Sequence, residues 1–464
     1  MYDLSKKFNT FYRQHVVLSK EEKSRLFDLK NKNLRRLNEG LALYNEENKK
    51  SYEIVDTVVQ GSVAMSTVVQ NESNDYDIDV AIIFDKEKIP EGNIEVKNIV
   101  VNALKKKSHL FKKEPEAKTN CVRIEYAQGY HVDFAIYRRY KNDDGDYVYE
   151  HCGSQWRPRD PRAITKWFLE ESKAKNYKLR IAVRLLKMFS KSRISWKMPG
   201  GLIQSVLANE CFKSYTRTDE LFYQTIKAIR DRLFENKEVL NPTDETQNLR
   251  LVQKDDVKME NLYNRLCKYI DKLAVLFERT CNESQAIEAW NEFFDHSYWQ
   301  SQLELQKVAK SYNVLSDSAI QRVREEIEDG FLYDETEEFI EYMFPLNIKY
   351  NLVIDCEVRQ DGFRVGTLRE FMQRQTPLMP KKELTFSIQD LNIPKPYQIY
   401  WKVKNSGYVA KRKNCVRGQI VRTNSLTHKE HTQFKGNHSV ECYVVKDGEC
   451  VANGFIQVPI ATGF

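Results

Sequence analysis

Gln60-Gly61-Ser62-Val63-Ala64-Met65-Ser66-Thr67, followed by Asp75-Tyr76-Asp77-Ile78-Asp79-Val80-Ala81-Ile82-Ile83-Phe84, is the stretch from which the rest of the 464-residue chain can be ordered. Its second half is a β-branched and aromatic run, the signature of a strand. Residues two apart in a strand share a face, so Asp77 and Asp79 point one way and Ile78, Val80 and Ile82 the other. Ala81 and Ile83 continue the acidic face as apolar, which puts the acids at the mouth of a core. Two carboxylates about 7 Å apart in such a place repel one another and lose hydration. A divalent cation relieves both problems, and Mg²⁺ favours one or two carboxylates plus phosphate oxygens over an all-protein cage. A third acid, Asp133, interrupts the apolar run His131-Val132-Asp133-Phe134-Ala135-Ile136-Tyr137. If the two strands are neighbours, Asp133 joins the pair, and three carboxylates can hold two metals. Gly61 lets a backbone approach an anion, and the Ser62 hydroxyl and nearby amides can hold phosphate oxygens. The plainer reading of the same acids is that they cap strand ends or pair with Arg123 or Arg138.

Outward from this stretch, residues 18–50 read as a helix capped at Leu18-Ser19, with leucines recurring near helical spacing. Residues 52–140 carry short strand-like runs at 54–59, 78–84, 121–126 and 131–137, with a helix near 93–111, an α/β mixture. Residues 160–340 read as helical, with segments near 202–214, 219–235, 258–280, 283–295, 302–311 and 316–329. Leu179, Ala182, Val183, Leu186 and Phe189 form one face of a helix that Leu185 and Met188 widen, so it is buried on most sides. After the acidic residues 325–338, Met343-Phe344-Pro345 reads as a boundary. Six of the twelve prolines, Pro345 included, and eight of the seventeen glycines fall in residues 345–464. The alternating runs there, separated by Asp361-Gly362, Asn405-Ser406-Gly407, Lys435-Gly436-Asn437 and Asp447-Gly448, suggest a small antiparallel β-sandwich. The expected fold is α+β, divided as 1–160, 161–344 and 345–464.

With 41% hydrophobic and 12% aromatic residues, the chain has ample core and is not disordered. It holds no apolar run of membrane-spanning length and opens on no signal-like stretch. Its nine scattered cysteines include no CxxC pair, which points to a reducing cytoplasm rather than disulfides or zinc. Charge is uneven. Residues 345–464 carry 18 Lys and Arg against 10 Asp and Glu, whereas the first 344 carry 55 against 56. The excess, at Lys402, Lys404, Lys411, Arg412, Lys413, Arg417 and Arg422, fits an anionic partner or a merely solubilising surface. Lys105-Lys106-Lys107 and Lys112-Lys113 likewise fit either a nucleic-acid patch or a solvated face.

The Gly-Ser, the paired acids of one strand and the single acid of a later strand resemble the CD-NTase family. These are bacterial relatives of cyclic GMP-AMP synthase and oligoadenylate synthase in the polymerase-β-like superfamily. The resemblance implies a polymerase-β-like nucleotidyltransferase sheet with helices over residues 1–160, a helical second lobe over 161–344, and Asp77, Asp79 and Asp133 as catalytic metal ligands. It assigns triphosphate binding to Gln60, Gly61, Ser62, Thr67, Lys187 and Ser205. Ser66 stands where that family pattern has glycine. Lys187 lies among Lys178, Arg180, Arg184 and Lys191, so a solvated charge is its competing reading, and Gln204 competes with Ser205. Tyr400-Trp401-Lys402-Val403-Lys404-Asn405-Ser406-Gly407 with Val416-Arg417-Gly418-Gln419-Ile420 resembles the C-terminal sensor domain fused to some of these enzymes, and the local positive charge makes Lys411, Arg412, Lys413 and Arg417 the expected anion-binding residues of such a nucleotide sensor.

The implied function is transfer of nucleotides from nucleoside triphosphates with release of pyrophosphate, forming a cyclic or short oligonucleotide second messenger in anti-phage signalling. Two Mg²⁺ ions are the implied cofactors, with Mn²⁺ as a substitute. The implied partners are nucleoside triphosphates, an oligonucleotide or nucleic acid at the C-terminal domain, and an effector protein that binds the product; no membrane is involved. Two rivals remain at this point. One is linear oligonucleotide synthesis or tailing of a nucleic-acid end; the other is a catalytically silent nucleotide sensor.

Overall fold

The computed structural model describes residues 1–71, 75–107, 113–250, 253–311, 337–406, 410, 413–432 and 436–460. The chain divides into two compact units, Met1–Ser311 and Tyr312–Phe464. In the first, a sheet runs in the order β1 (Asp56–Gln60), β2 (Tyr76–Asp85), β5 (Tyr130–Lys141), β4 (Val122–Glu125) and β3 (Glu116–Ala117). β6 (Tyr147–Cys152) and β7 (Trp156–Pro158) extend it from β5. β2 and β5 are parallel; their other pairings are antiparallel. Residues 80–84 of β2 are almost wholly buried, as expected of a strand covered on both faces.

Two helices pack on this sheet, α2 (Lys20–Asn48) and α4 (Asn93–Lys105). Ser19 caps α2 by accepting from the Glu22 amide, which satisfies one of the amides left over at a helix start. Gly40 lets the two helices touch, since a Cβ there would lie 1.9 Å from the Ala103 carbonyl oxygen. Residues 108–111, read as the end of the helix near 93–111, lie outside the described residues. Lys106 and Lys107 pair with Glu47 and Glu39, Lys105 with Glu114, and Lys113 with Glu125. Those four lysines are therefore each matched by a carboxylate, while Lys112 lies outside the described residues.

The helical part holds α5 (Ala163–Ala174), α6 (Leu179–Lys191), α7 (Gly201–Glu210), α8 (Thr218–Glu235), α9 (Gln253–Lys272), α10 (Glu283–Phe294) and α11 (Ser297–Ser311). α6 is buried nearly all round. Here the domain division read from sequence needs correction. The N-terminal helix α1 (Ser5–Phe11) does not belong with the sheet: Leu4, Phe8, Phe11, Tyr12 and Val16 lie in the same core as Trp290, Phe293 and Phe294. Phe8 meets the Trp290 ring at 4.7 Å. The chain thus starts in the helical lobe and crosses to the sheet, and no compact unit ends near residue 160. The helix read over 258–280 ends at Lys272, with a 3₁₀ turn over Leu273–Phe277. The hairpin of β8 (Leu240–Asn241) and β9 (Asp244–Asn248) was not foreseen, because its residues are polar and carry no strand pattern. The helix read at 316–329 lies outside the described residues.

In the second unit two antiparallel four-stranded sheets enclose one core. One has the order β11 (Phe363–Thr367), β10 (Val353–Gln360), β12 (Glu383–Asp390), β15 (Thr427–His431). The other runs β14 (Ile420–Arg422), β13 (Gln398–Ser406), β16 (Gly436–Lys446), β17 (Glu449–Ile460). Ile399 and Trp401 face the core with Val440, Cys442 and Val444, in the alternation a two-layer sandwich requires. The boundary read at 344/345 also needs correction. Lys402 on β13, only 2% exposed, pairs with Glu337 at 2.7 Å, and Lys404 pairs with it at 2.9 Å. Phe344 packs on Tyr400. Residues 337–344 are therefore part of the sandwich.

Candidate active site

Strand register builds the site. Gln60 lies opposite Asp79, Asp79 beside Asp133, Asp133 opposite Arg123, and Arg123 opposite Glu116. Paired positions on neighbouring strands face the same way, so these five residues form one row across β1, β2, β5, β4 and β3. Asp77 stands two residues before Asp79 on the same face. Beyond the acids this face turns apolar, with Ala81 and Ile83 buried against Val58 and Tyr137. The three carboxylates read from the sequence are thus brought to one sheet face at the edge of a core.

Immediately after β1 the chain turns at Gly61 into the short helix α3 (Gly61–Ala64). Gly61 has φ +64°, and a Cβ on it would lie 2.0 Å from Asp79 Oδ2. Both facts require glycine. The loop after α3 is clamped from α6. Arg180 Nε donates to the Met65 carbonyl at 3.0 Å, and Lys187 Nζ donates to the Thr67 hydroxyl at 2.8 Å and its carbonyl at 3.2 Å. Arg180 and Lys187 are seven residues apart, two helical turns, and so share one face. Lys187 is only 7% exposed, so the solvated-charge reading fails. Its ammonium also lies against the start of α7, where a Cβ on Gly201 would be 3.2 Å from Nζ.

Other residues named from the sequence are engaged within the protein. The Gln60 amide donates to the Pro161 carbonyl at 2.7 Å and the Tyr137 hydroxyl at 3.2 Å. Ser205 is fully buried and donates to the Gly201 carbonyl, while Gln204 donates to the Pro199 carbonyl. Ser62 remains half-buried, and its carbonyl accepts from the Thr67 amide. Ser66 adopts φ +52°, the left-handed region that a β-carbon disfavours. This is the physical reason for the glycine in the resembled pattern.

The electrostatics are those of crowded carboxylates. Burial, then the charges of Asp77 and Asp133, push Asp79 up to about 7. Arg123 grips Asp133 through both oxygens, Nε to Oδ1 at 2.8 Å and Nη2 to Oδ2 at 2.6 Å. The plainer pairing of Asp133 is therefore realised. The Cys121 thiol beside it is pushed up to about 12 by burial and the Asp133 charge. Burial pulls Lys187 down to about 7, against the opposing pull of Asp77. Among the described residues no three His, Cys, Asp or Glu side chains are already gathered around one point. The fit to divalent cations rests instead on the donor set: three hard oxygen acids on one face, one of them driven towards neutrality by burial and by the charges of the other two. The sequence reading passed over Arg180 as a loop clamp, because Arg184 and Lys191 share the same seven-residue spacing and only packing separates the two pairs.

In the second unit, Arg417 is held by Glu430 through two contacts of 2.9 Å. Burial raises Glu430, but His428 and Arg417 outweigh it and hold the carboxyl at about 2. Lys413 is exposed; Lys411 and Arg412 lie outside the described residues.

Residues 55–137 match the family model described as the nucleotidyltransferase domain of DncV-like cyclic GMP-AMP synthases. Residues 334–461 match the adenylyl/guanylyl and SMODS C-terminal sensor domain. The chain is 23% identical over 446 residues to a cyclic GMP-AMP synthase of Escherichia albertii, covering 92% of this chain and 89% of that one. It is 24% identical over 257 residues to a c-di-GMP synthase of Roseivirga ehrenbergii, covering 47% of this chain and 66% of that one. Vibrio cholerae DncV, solved with a linear pppA(3′,5′)pG intermediate, superposes with a TM-score of 0.52 at 16% identity, covering 65% of this chain and 99% of that one. Escherichia coli DncV bound to 3′-deoxy GTP gives 0.51 at 17% identity, with 64% and 98% covered. By these matches the chain is similar to nucleotidyltransferases of the cyclic-dinucleotide-synthase type, and residues 55–137 carry the matching nucleotidyltransferase domain. Among the described residues, no helix is long and apolar enough to cross a membrane.

Proposed function

We propose that this chain, a CD-NTase-like nucleotidyltransferase with a C-terminal sensor domain, joins two or more nucleoside triphosphates into a cyclic oligonucleotide and releases pyrophosphate. The carrying observation is the row of Asp79 and Asp133, with Asp77 beside it and Gly61 pressed against Asp79. A ribose hydroxyl attacks the α-phosphorus of a second nucleotide. The new P–O bond forms as the bond to the β-phosphate bridging oxygen breaks, the hydroxyl loses its proton, and pyrophosphate departs. Repetition within the same chain closes the ring. The Vibrio cholerae DncV complex holds a linear pppA(3′,5′)pG intermediate, which supports this order of events.

In this reading Asp77, Asp79 and Asp133 would hold two Mg²⁺ ions, for which Mn²⁺ could substitute. When bound, such ions acidify the attacking hydroxyl and neutralise the triphosphate. The chain's own contribution is positional. Gly61 lets the backbone come close, and α6 holds the Met65–Thr67 loop in place through Arg180 and Lys187. The Lys187 ammonium lies against the start of the ten-residue helix α7. A cation beside a helix N-terminus is unfavourable alone, and both attract an anion. The triphosphate supplies that anion. The sensor domain then regulates the enzyme through an anionic ligand, and the product acts through a separate effector in a cytoplasmic anti-phage response.

The test is incubation of the purified chain with mixtures of nucleoside triphosphates and Mg²⁺, measuring pyrophosphate and then product mass after phosphatase treatment. A phosphatase-resistant product is expected, since a ring has no terminal phosphate. Phosphatase-sensitive oligomers alone would replace cyclisation with linear synthesis, and no pyrophosphate at all would leave only a binding protein.

A further inference from the structure

Asp133 is one of the three acids that the proposed function needs as a cation ligand, yet both its oxygens are occupied from within. The Arg123 guanidinium lies across the carboxylate in a two-point grip at 2.8 and 2.6 Å. Asp133 is 5% exposed, so water competes weakly for it, and a fork of this kind in a sheltered place is among the stronger ion pairs. Arg123 reaches Asp133 because the two are cross-strand partners of β4 and β5. On its other side in the same row stands Glu116, exposed on β3. Glu116 is itself paired with Lys118 at 2.7 Å, so the carboxylate that holds the guanidinium is Asp133.

A divalent cation beside Asp133 and a guanidinium on Asp133 oppose one another in two ways. They compete for the same oxygens, and they repel as like charges at short range. A triphosphate arriving with the cation changes this balance, because its negative charge offsets both. Because the fork is strong, Arg123 leaves Asp133 only when cation and triphosphate together offset its loss.

Resting on the metal reading of the acid cluster, we propose that Arg123 is a positioning residue that occupies Asp133 in the empty site and makes cation loading depend on the nucleotide. Arg123 keeps the acids from collecting divalent cations unproductively. It yields Asp133 only when substrate and cation come together.

The experiment uses the full chain freed of metal and titrated with Mn²⁺, with unbound Mn²⁺ read by electron paramagnetic resonance. It is run with and without a non-hydrolysable nucleoside triphosphate. Wild type should bind Mn²⁺ weakly alone and more tightly with nucleotide. Arg123→Gln should bind Mn²⁺ without nucleotide at least about ten-fold more tightly than wild type, as removal of a nearby positive charge demands. The nucleotide effect should shrink accordingly. Adding Asp133→Asn to Arg123→Gln should erase the gain. Thermal melting and circular dichroism check that the variants are folded. Should Arg123→Gln not fold, Arg123→Lys decides, because a lysine cannot grip both oxygens at once; a smaller gain is expected, and none overturns the proposal. Unchanged or weaker Mn²⁺ binding by Arg123→Gln overturns the latch while leaving the metal site standing. Absence of Mn²⁺ binding by every protein, even with nucleotide, removes the metal reading and the latch with it.

Discussion

Asp79→Asn should make the metal-free enzyme more stable than wild type, and the gain should grow with pH. Burial and the charges of Asp77 and Asp133 raise Asp79 from 3.8 to about 7. A carboxyl raised in the folded state binds more protons folded than unfolded, so wild-type stability falls as pH rises between these two values. A shift of about 3 units corresponds to at most about 4 kcal/mol. Relaxation of the neighbouring carboxylates and residual solvent reduce this to about 2 kcal/mol. Asparagine keeps the shape and loses the charge, so it escapes the penalty. The assay is thermal or urea unfolding in chelator across pH 4 to 8. Near pH 4 the two proteins should differ little. The gap should open up to about pH 7 and then stay level, at roughly 4 °C for a unit of this size. Added Mg²⁺ should stabilise wild type and not the variant, which should also lose nucleotide transfer. A variant less stable than wild type at pH 7.5 would refute the reasoning, since the carboxylates would then not be in repulsion.

Ser66→Gly should raise stability by about 1 kcal/mol, because φ +52° strains a residue with a β-carbon and its buried hydroxyl has no partner among the described residues; a lower denaturation midpoint would count against it. Lys187→Ala should mainly raise the KM for nucleoside triphosphate, whereas Asp133→Asn should mainly lower kcat. The wild-type KM should rise above about pH 7, where Lys187 loses its proton, and the alanine variant should lack that rise. An unchanged KM would move the phosphate role to a neighbour such as Arg184. Glu337→Ala should destabilise the sandwich by about 2 kcal/mol, because buried Lys402 loses its 2.7 Å partner and keeps only Glu441 at 3.7 Å. Hydrogen exchange of peptides covering β13 and β16 should accelerate, and unchanged protection would show that Lys402 finds another partner.

The acid motif was legible in the sequence because its signals are local. The alternation of Asp77 and Asp79 with isoleucine and valine follows from the two-residue period of a strand, and Gly61 is demanded by a backbone angle. The sandwich was legible for the same reason, through alternation and turn residues. Register is not local. That Asp79 lies beside Asp133, and Asp133 beside Arg123, depends on which strands pair and at what offset. Only then does the choice between a metal ligand and an ion pair become one residue with two competing partners. Burial is equally non-local. Nothing in the run of cations on α6 distinguishes Lys187 from Lys191, yet packing against the Met65–Thr67 loop buries the first and bonds it to Thr67. The domain limits were misread because α1 and Glu337 meet partners far along the chain, Trp290 and Lys402. The chain itself determined which residues could carry the chemistry. Tertiary structure decided which of them meet, because strand offset and long-range packing set distances that no window of neighbouring residues contains.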